Sequence, residues 1–451
     1  KEGELIFVAG HPGRTQRLYT MDHLRFLRDV HVPLILNAYN EREVALLQFM
    51  ARGDEQERIA KEELLYVQNG RKAYGGIQGG LLDSRIMQRK QESEDSLRNF
   101  VKADEKREAK YGAAWGELAS ALKSSESYYA AYFLTENRRT SLCKLFDFAR
   151  KLVRAGDERL KPDGERLEEY RDSGLPTLEV TLFSTAPIYD DLETFKLEDS
   201  LLRLGRILGG DHPVVRTALG GKDPHTRAKE LVAATKLKDV AFRKSLYSGG
   251  AKAIAACDDP MIALARQLDP LTRRIRKQYE DNYESVERSA YARIAQAAFD
   301  MNGESVYPDA TFTLRLNDGT VKGYDDVPAM TRFAGLYELC DKHHNKPPYD
   351  LPPRWLEGRK RLDLSVPFNF ISTNDIIGGN SGSPMFNSRG EVTGLVFDGN
   401  LAGLVWDFIF DMDQGRAVGV HSQAMIEAMT KLYEAGPLVD EITGRRESAS
   451  R

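Results

Sequence analysis

The sequence predicts an α+β fold in which a large all-helical domain is inserted into a β framework. Three observations predict it. Apolar residues recur with a helical period from about Leu18 to Met301. From about Tyr307 the period changes to two, the signature of half-buried strands. One strand-like run, Glu4 to Ala9, precedes the helical stretch.

The elements follow in order. Glu4 to Ala9 alternates and leads into the loop Gly10-His11-Pro12-Gly13-Arg14-Thr15. Met21 to Arg52 reads as a long amphipathic helix interrupted near Pro33, because proline lacks the amide a helix interior uses. Glu55 to Tyr74 continues it and is expected to stop at Gly75-Gly76. Ser84 to Tyr111 carries dense mixed charge, which marks a solvated helix face. Glu117 to Val153, Ile188 to Leu208 and Leu271 to Asp300 are further helices, with no fixed-period repeat. Thr311 to Leu316, the turn Asn317-Asp318-Gly319 and Thr320 to Tyr324 predict a β-hairpin. Strands are expected over Val366–Ser372, Val392–Val396, Leu404–Phe410 and Ala417–Val420, with a last helix over Ser422–Ala435. The chain therefore divides into 1–17, 18–302 and 303–451, and an insertion as long as the middle segment needs a core of its own.

Composition bounds the function. A chain of 451 residues buries a large core and forms two or more domains. Net charge is −4 with 29% charged residues, so no global basic field favours nucleic acid. No apolar run is long enough to span a membrane, and Lys1-Glu2-Gly3-Glu4 is not a signal peptide. Cys143, Cys257 and Cys340 are widely spaced and show no zinc pattern; three buried or free thiols fit better than one disulfide and a leftover.

Between two strand signals lies Gly378-Gly379-Asn380-Ser381-Gly382-Ser383-Pro384. A serine in Gly-x-Ser-Gly-x-Pro is how double-β-barrel, trypsin-like serine peptidases present their nucleophile. Flanking glycines permit a tight turn. Such a turn aims the amides of Gly379 and Ser381 at one point, where they donate to a developing oxyanion. A bare Gly/Ser hairpin loop is the plainer reading, and the full heptad weighs against it. Ser381 needs a base, and the double-barrel order is His, Asp, Ser. Of the eight histidines only His11 lies near upstream strand-like sequence, and it reads as a loop residue. His23, His31, His212 and His225 fall in helical or turn sequence, and His421 starts the last helix. His343-His344 lacks partners at metal-ligand spacing, so no metal is expected. The expectation is that the base and its Asp lie outside this chain, with 1–17 a remnant of a mostly missing first barrel.

Four segments carry a family resemblance. Phe7-Val8-Ala9-Gly10-His11-Pro12-Gly13-Arg14-Thr15, Tyr307-Pro308-Asp309-Ala310-Thr311-Phe312-Thr313-Leu314-Arg315-Leu316, Asn374 to Pro384, and Val396-Phe397-Asp398-Gly399-Asn400, around a long helical insert, resemble the S46 family of dipeptidyl peptidases. The resemblance implies a serine exopeptidase that needs no metal or organic cofactor and whose partners are oligopeptides with free N-termini. It implies a helical domain capping the cleft; the alternative use of that domain is stability or a homodimer. It implies a Gram-negative periplasm or cell surface. A free amine needs acceptors. The family pattern assigns that role to Asp398, and to Asn69 within an Asn-x-x-Lys match completed by Lys72. Gly70-Arg71 departs from the aromatic pair expected there, and a helix-ending Asn is an equal reading of Asn69.

Family members divide at the position of Gly399: those with Arg prefer acidic second residues, those with Gly apolar or aromatic ones. Phe397, two residues earlier on a strand, is expected on the same face as Gly399. Asp375 lies six residues before Ser381, where trypsin-like enzymes keep the carboxylate that selects Lys or Arg; the S46 pattern favours a structural role, accepting loop amides. The expected function is a serine dipeptidyl peptidase that releases N-terminal dipeptides with an apolar or aromatic second residue, of which this chain alone is nearly inert; the alternatives are a non-catalytic peptide-binding scaffold and a trypsin-like endopeptidase.

Overall fold

The structure is a computed structural model that describes residues 1–137, 142–305 and 308–444. The resemblance residue Tyr307 and the middle of the expected Glu117–Val153 helix lie outside those residues. The chain forms two compact units. One comprises Lys1–Met21, Gly75–Leu97 and Ala298–Arg451; the other comprises Asp22–Tyr74 and Arg98–Ala297. Residues 75–97, which the sequence places in the helical block, thus group with the strands.

The first unit is built on a seven-stranded antiparallel sheet: β1 (Leu5–Gly10), β2 (Arg315–Thr320), β3 (Met330–Arg332), β4 (Pro367–Ser372), β5 (Pro384–Asn387), β6 (Val392–Gly399) and β7 (Ala417–His421). Their order is β2-β1-β5-β6-β7-β4-β3. An antiparallel bridge from Val321 to Ser372, with Thr373 N–H donating to Thr320 C=O at 3.0 Å, joins the end of β2 to β4. Six strands therefore close into a ring around Ile6, Val8, Phe370, Met385, Val396 and Trp406. The strand expected as a remnant of a first barrel is instead an inner strand of this ring, because its two neighbours, β2 and β5, both come from beyond the helical stretch. Helices Phe333–Lys342 and Ser422–Lys431 enclose a second cluster around Phe333, Tyr337, Ala424 and Leu432.

Two β expectations fail for physical reasons. Asn317-Asp318-Gly319 is not a hairpin turn but the middle of β2, paired with Val8, Phe7 and Ile6. Gly319 is bare because the Asn374 backbone nitrogen lies 2.5 Å from where a Cβ would sit, and Asn374 Nδ2 donates to Asn317 Oδ1 at 3.0 Å. The turn-like composition serves a close approach. Leu404–Phe410 is not a strand either. Asn400 caps a 3-10 turn over Leu401–Asp407, its Oδ1 accepting from Gly403 N–H at 3.0 Å.

The second unit is helical. Its helices include α1 (Met21–Phe26), α2 (Val32–Met50), much of α3 (Asp54–Leu82), the end of α4 (Ser84–Lys102), α5 (Glu105–Tyr111), α6 (Ala113–Glu136) and α7 (Lys144–Glu158). Seven more follow, from Leu175–Leu182 to Ser285–Asn302. In place of the expected break near Pro33 there is a π-helical turn, Leu27–His31, that runs with helical backbone into α2, where the proline follows it. Leu118, Phe133, Leu145, Phe148, Leu152 and Leu264 are almost wholly buried. The buried Arg154 joins three helices: it donates to Glu136 at 2.7 and 2.9 Å, to Asp269 at 2.6 Å and to Thr272 at 3.0 Å. All three cysteines are free thiols, and among the described residues no helix is long and apolar enough to cross a membrane.

Helix α3 does not stop at Gly75-Gly76 but runs on to Leu82. Two of the glycines in this stretch admit a neighbour: a Cβ would lie 2.3 Å from Leu404 Cδ1 at Gly76 and 1.9 Å from Val405 Cγ1 at Gly80. A branched valine cannot swing aside cheaply. Gly80→Ala should therefore lower the stability of the first unit by about 1–3 kcal/mol, read as a lower denaturant midpoint. An unchanged or higher midpoint, as expected for an alanine in an open helix position, contradicts this packing.

Candidate active site

Ser381 sits in the connection from β4 to β5. The turn is fastened by backbone bonds: Asn380 N–H to Ile377 C=O at 3.1 Å and Ser383 N–H to Asn380 C=O at 2.9 Å. Two more tie it to β6: Gly382 N–H to Val396 C=O at 2.7 Å and Val396 N–H to Ser383 C=O at 3.0 Å. Gly379 has φ +109° and Gly382 φ +84°, a backbone that side chains disfavour. Gly379 also leaves no space, since a Cβ would lie 2.5 Å from His11 O. Ser381 is exposed, and among the described residues neither its amide nor that of Gly379 donates a hydrogen bond. The turn thus carries two amide donors with no acceptor beside an exposed serine hydroxyl, the type of donor an oxyanion uses.

The four resemblance segments meet here. Thr15 Oγ1 donates to Asp309 Oδ1 at 2.6 Å and accepts from Ala310 N–H at 2.9 Å. Phe312 N–H donates to Pro12 C=O at 3.0 Å, and Gly13 N–H to Gly378 C=O at 2.7 Å. The fourth segment is β6 itself.

Asp398 lies on β6 two residues beyond the Val396 anchor. It is exposed, and its Oδ1 accepts from the Gly399 N–H at 2.8 Å. Among the described residues it forms no ion pair. The expectation that Phe397 and Gly399 share a face assumed unbroken alternation. A β-bulge between Val396 and Asp398 breaks it, leaving Phe397, Asp398 and Gly399 all exposed. A Cβ at Gly399 would meet Arg416 O at 3.5 Å and Ile376 Cδ1 at 3.7 Å, ordinary contacts. Ile376 is thus the residue of the Ser381 segment that faces Gly399. It is one that motif reading passed over.

Asp375 is engaged by a side chain the sequence did not suggest. The Arg17 guanidinium grips it in a two-pronged pair, Nη1–Oδ2 and Nη2–Oδ1, each 2.7 Å. Arg17 was invisible to sequence reasoning because nothing local marks a partner so distant in the chain.

No histidine contacts the Ser381 hydroxyl among the described residues. His11 is exposed, with its ring 6.4 Å from that of Phe312. His421 caps the last helix pair, its Nδ1 accepting from Gln423 N–H at 3.1 Å, and burial lowers its pKa. His23 is buried between Tyr283 and Tyr291. Asn69 belongs to the helical unit and lies exposed inside α3; it does not end a helix, because α3 continues for three more turns. Among the described residues no group of three or more His, Cys, Asp or Glu is placed to hold a metal ion.

A family model described as Peptidase S46 matches residues 1–444. An Asp/Glu-specific dipeptidyl-peptidase of Shewanella putrefaciens is 27% identical over 486 residues, covering 98% of this chain and 65% of that protein. A dipeptidyl-peptidase 7 of Phocaeicola vulgatus is 30% identical over 215 residues, covering 45% of this chain and 29% of its own length. Among solved structures, Porphyromonas endodontalis DPP11 in complex with the dipeptide Arg-Glu superposes with a TM-score of 0.78 at 20% identity, over 98% of this chain and 65% of that one. The likeness to DPP11 is one of fold, and the chain spans just under two thirds of the length of these fully covering matches.

Two ionisable groups of the first unit, Asp407 and Lys90, have shifted proton affinities. Burial raises the Asp407 carboxyl from its ordinary value to about 6, against the pull of Arg14 and Arg17. Burial likewise lowers the Lys90 ammonium to about 8, where it donates to Arg17 C=O at 2.6 Å and Phe408 C=O at 3.3 Å. Between about pH 4 and 6 the folded state holds a proton on Asp407 that the unfolded chain has released. That contribution is complete below the unfolded pKa and is lost as pH rises through 6. Asp407→Asn should therefore gain on the natural protein by about 1–3 kcal/mol between pH 4 and pH 7. Denaturant titrations of both proteins across that range check it, and a difference that stays flat with pH contradicts it.

Proposed function

The chain belongs to the peptidase S46 family, and on that footing we propose that it carries the nucleophile of a serine dipeptidyl peptidase acting on oligopeptides with free N-termini. The observation that carries the reading is the Ser381 turn, with two unengaged amides beside an exposed hydroxyl and a strand bearing Asp398 fastened to its flank. Ser381 Oγ attacks the carbonyl of the second residue. The Gly379 and Ser381 amides receive the oxyanion. The adduct collapses as the peptide bond to the third residue breaks, that nitrogen leaving as the free amine of the shortened peptide with the proton given up by Ser381, and the dipeptide stays as an acyl ester on Ser381 until water hydrolyses it. A serine nucleophile needs a proton acceptor, and no described histidine contacts the Ser381 hydroxyl, so a chain of residues 1–451 alone should turn over slowly, as a unit missing one of its members does. Asp398 receives the substrate's ammonium, a charge-assisted contact that a blocked N-terminus cannot make. Secretion to a Gram-negative periplasm or cell surface fits a peptidase that feeds on oligopeptides.

Specificity at the second residue follows from what faces Gly399. The neighbouring wall is Ile376, and a glycine adds neither volume nor charge. An apolar or aromatic side chain is favoured there, in contrast to the acidic preference in the name of the Shewanella relative. The carboxylate that would select Lys or Arg, Asp375, is already engaged by Arg17, which weighs against the trypsin-like alternative.

A panel of dipeptidyl amides varying only the second residue tests this in the full-length gene product. Phe, Met, Leu and Tyr should be cleaved fastest, and Gly399→Arg should move the preference to Asp and Glu. A natural preference for Asp and Glu overturns the Gly399 reading; one for Lys and Arg restores Asp375. Separately, Asp398→Ala should lower kcat/KM on free-amine substrates by about 10–100-fold, while acylation of Ser381 by a small inhibitor changes far less. Equal losses in both assays would make Asp398 a structural residue.

A further inference from the structure

We propose that Arg17 is a positioning residue for Ser381: by gripping Asp375 it fixes the backbone from which the Gly379 and Ser381 amides project. The proposal rests on the reading of Ser381 as the nucleophile.

The geometry is that of a clamp. A guanidinium fork on a carboxylate fixes distance and direction at once, which a single contact does not. The same guanidinium donates to Trp406 C=O from Nε at 3.2 Å and from Nη2 at 3.1 Å, and lies over the Phe410 ring at 5.8 Å. The Arg17 backbone is held in turn: its N–H donates to Asp309 Oδ1 at 3.0 Å, and its C=O accepts from Lys90 of α4. Lys90 is only 7% exposed, so the clamp is anchored in the interior. Four residues earlier in the same loop, Gly13 N–H grips Gly378 C=O. The segment from Asp375 to Gly378 is therefore held at both ends by one loop, and the two oxyanion amides follow directly after it.

Arg17 and Asp375 side chains are 19% and 20% exposed. A pair so placed in reach of water contributes little to stability by charge alone. Its larger effect is geometric, because oxyanion donors act only when aimed at the atom where charge develops.

Kinetics of the full-length gene product separate positioning from stability. Arg17→Met with Asp375→Asn removes both charges of the pair together, and Asp407 keeps Arg14 as its cationic neighbour, so the protein should melt near the natural temperature. Its kcat should nevertheless fall about 10–100-fold, with KM within about threefold. Arg17→Lys keeps the charge but loses the fork, and should lower kcat about 5–20-fold; it decides the matter if the double variant does not fold. A folded variant with kcat within about twofold of natural, or one whose loss lies wholly in KM, overturns the proposal. Ser381→Ala is measured alongside. If it is inactive while the clamp variants keep full kcat, the clamp fails alone. If Ser381→Ala keeps activity, the nucleophile reading and the clamp fail together.

Discussion

Two backbone hydrogen bonds, from Gly382 to Val396 and from Val396 to Ser383, decide where Ser381 stands. They fasten an otherwise exposed turn to β6 and thereby place the serine beside Phe397, Asp398 and Gly399. The turn needs the positive φ of Gly379 and Gly382, and β6 is held between β5 and β7. In the proposed function, chemistry and recognition rest on the same backbone contacts as the fold.

Much of this was legible in the sequence. The heptad around Ser381 announces its turn because glycine is required at fixed places in it, and such requirements survive in a single sequence. The change of period near residue 307 marks where the helical stretch gives way to strands, and β1, β4, β6 and β7 fall where alternation puts them. The irregularity expected near Pro33 is there as the π-helical turn Leu27–His31, although the backbone stays helical into α2.

What was not legible depends on partners remote in the chain. Asn-Asp-Gly at 317–319 has the composition of a turn, yet it is read against Asn374 and β1, which no local pattern reveals. Gly75-Gly76 looks like a helix stop, but a helix tolerates glycine where a neighbour comes within contact, as Val405 does at Gly80. Asp375 looks like a specificity carboxylate until Arg17 is seen across it. The bulge at Phe397 defeats period-two reasoning, because one extra residue shifts every side chain after it. In each case the local signal was read correctly as a residue preference, and tertiary contact supplied a different use for it.

The central claim is that the turn at 378–384 presents a reactive serine. Treating the active full-length protein with a small fluorophosphonate and locating the adduct by peptide mass spectrometry tests it most directly. The account predicts a single adduct on Ser381, appearing in step with the loss of peptidase activity. An adduct on another residue that tracks inactivation, with Ser381 unmodified, would contradict it.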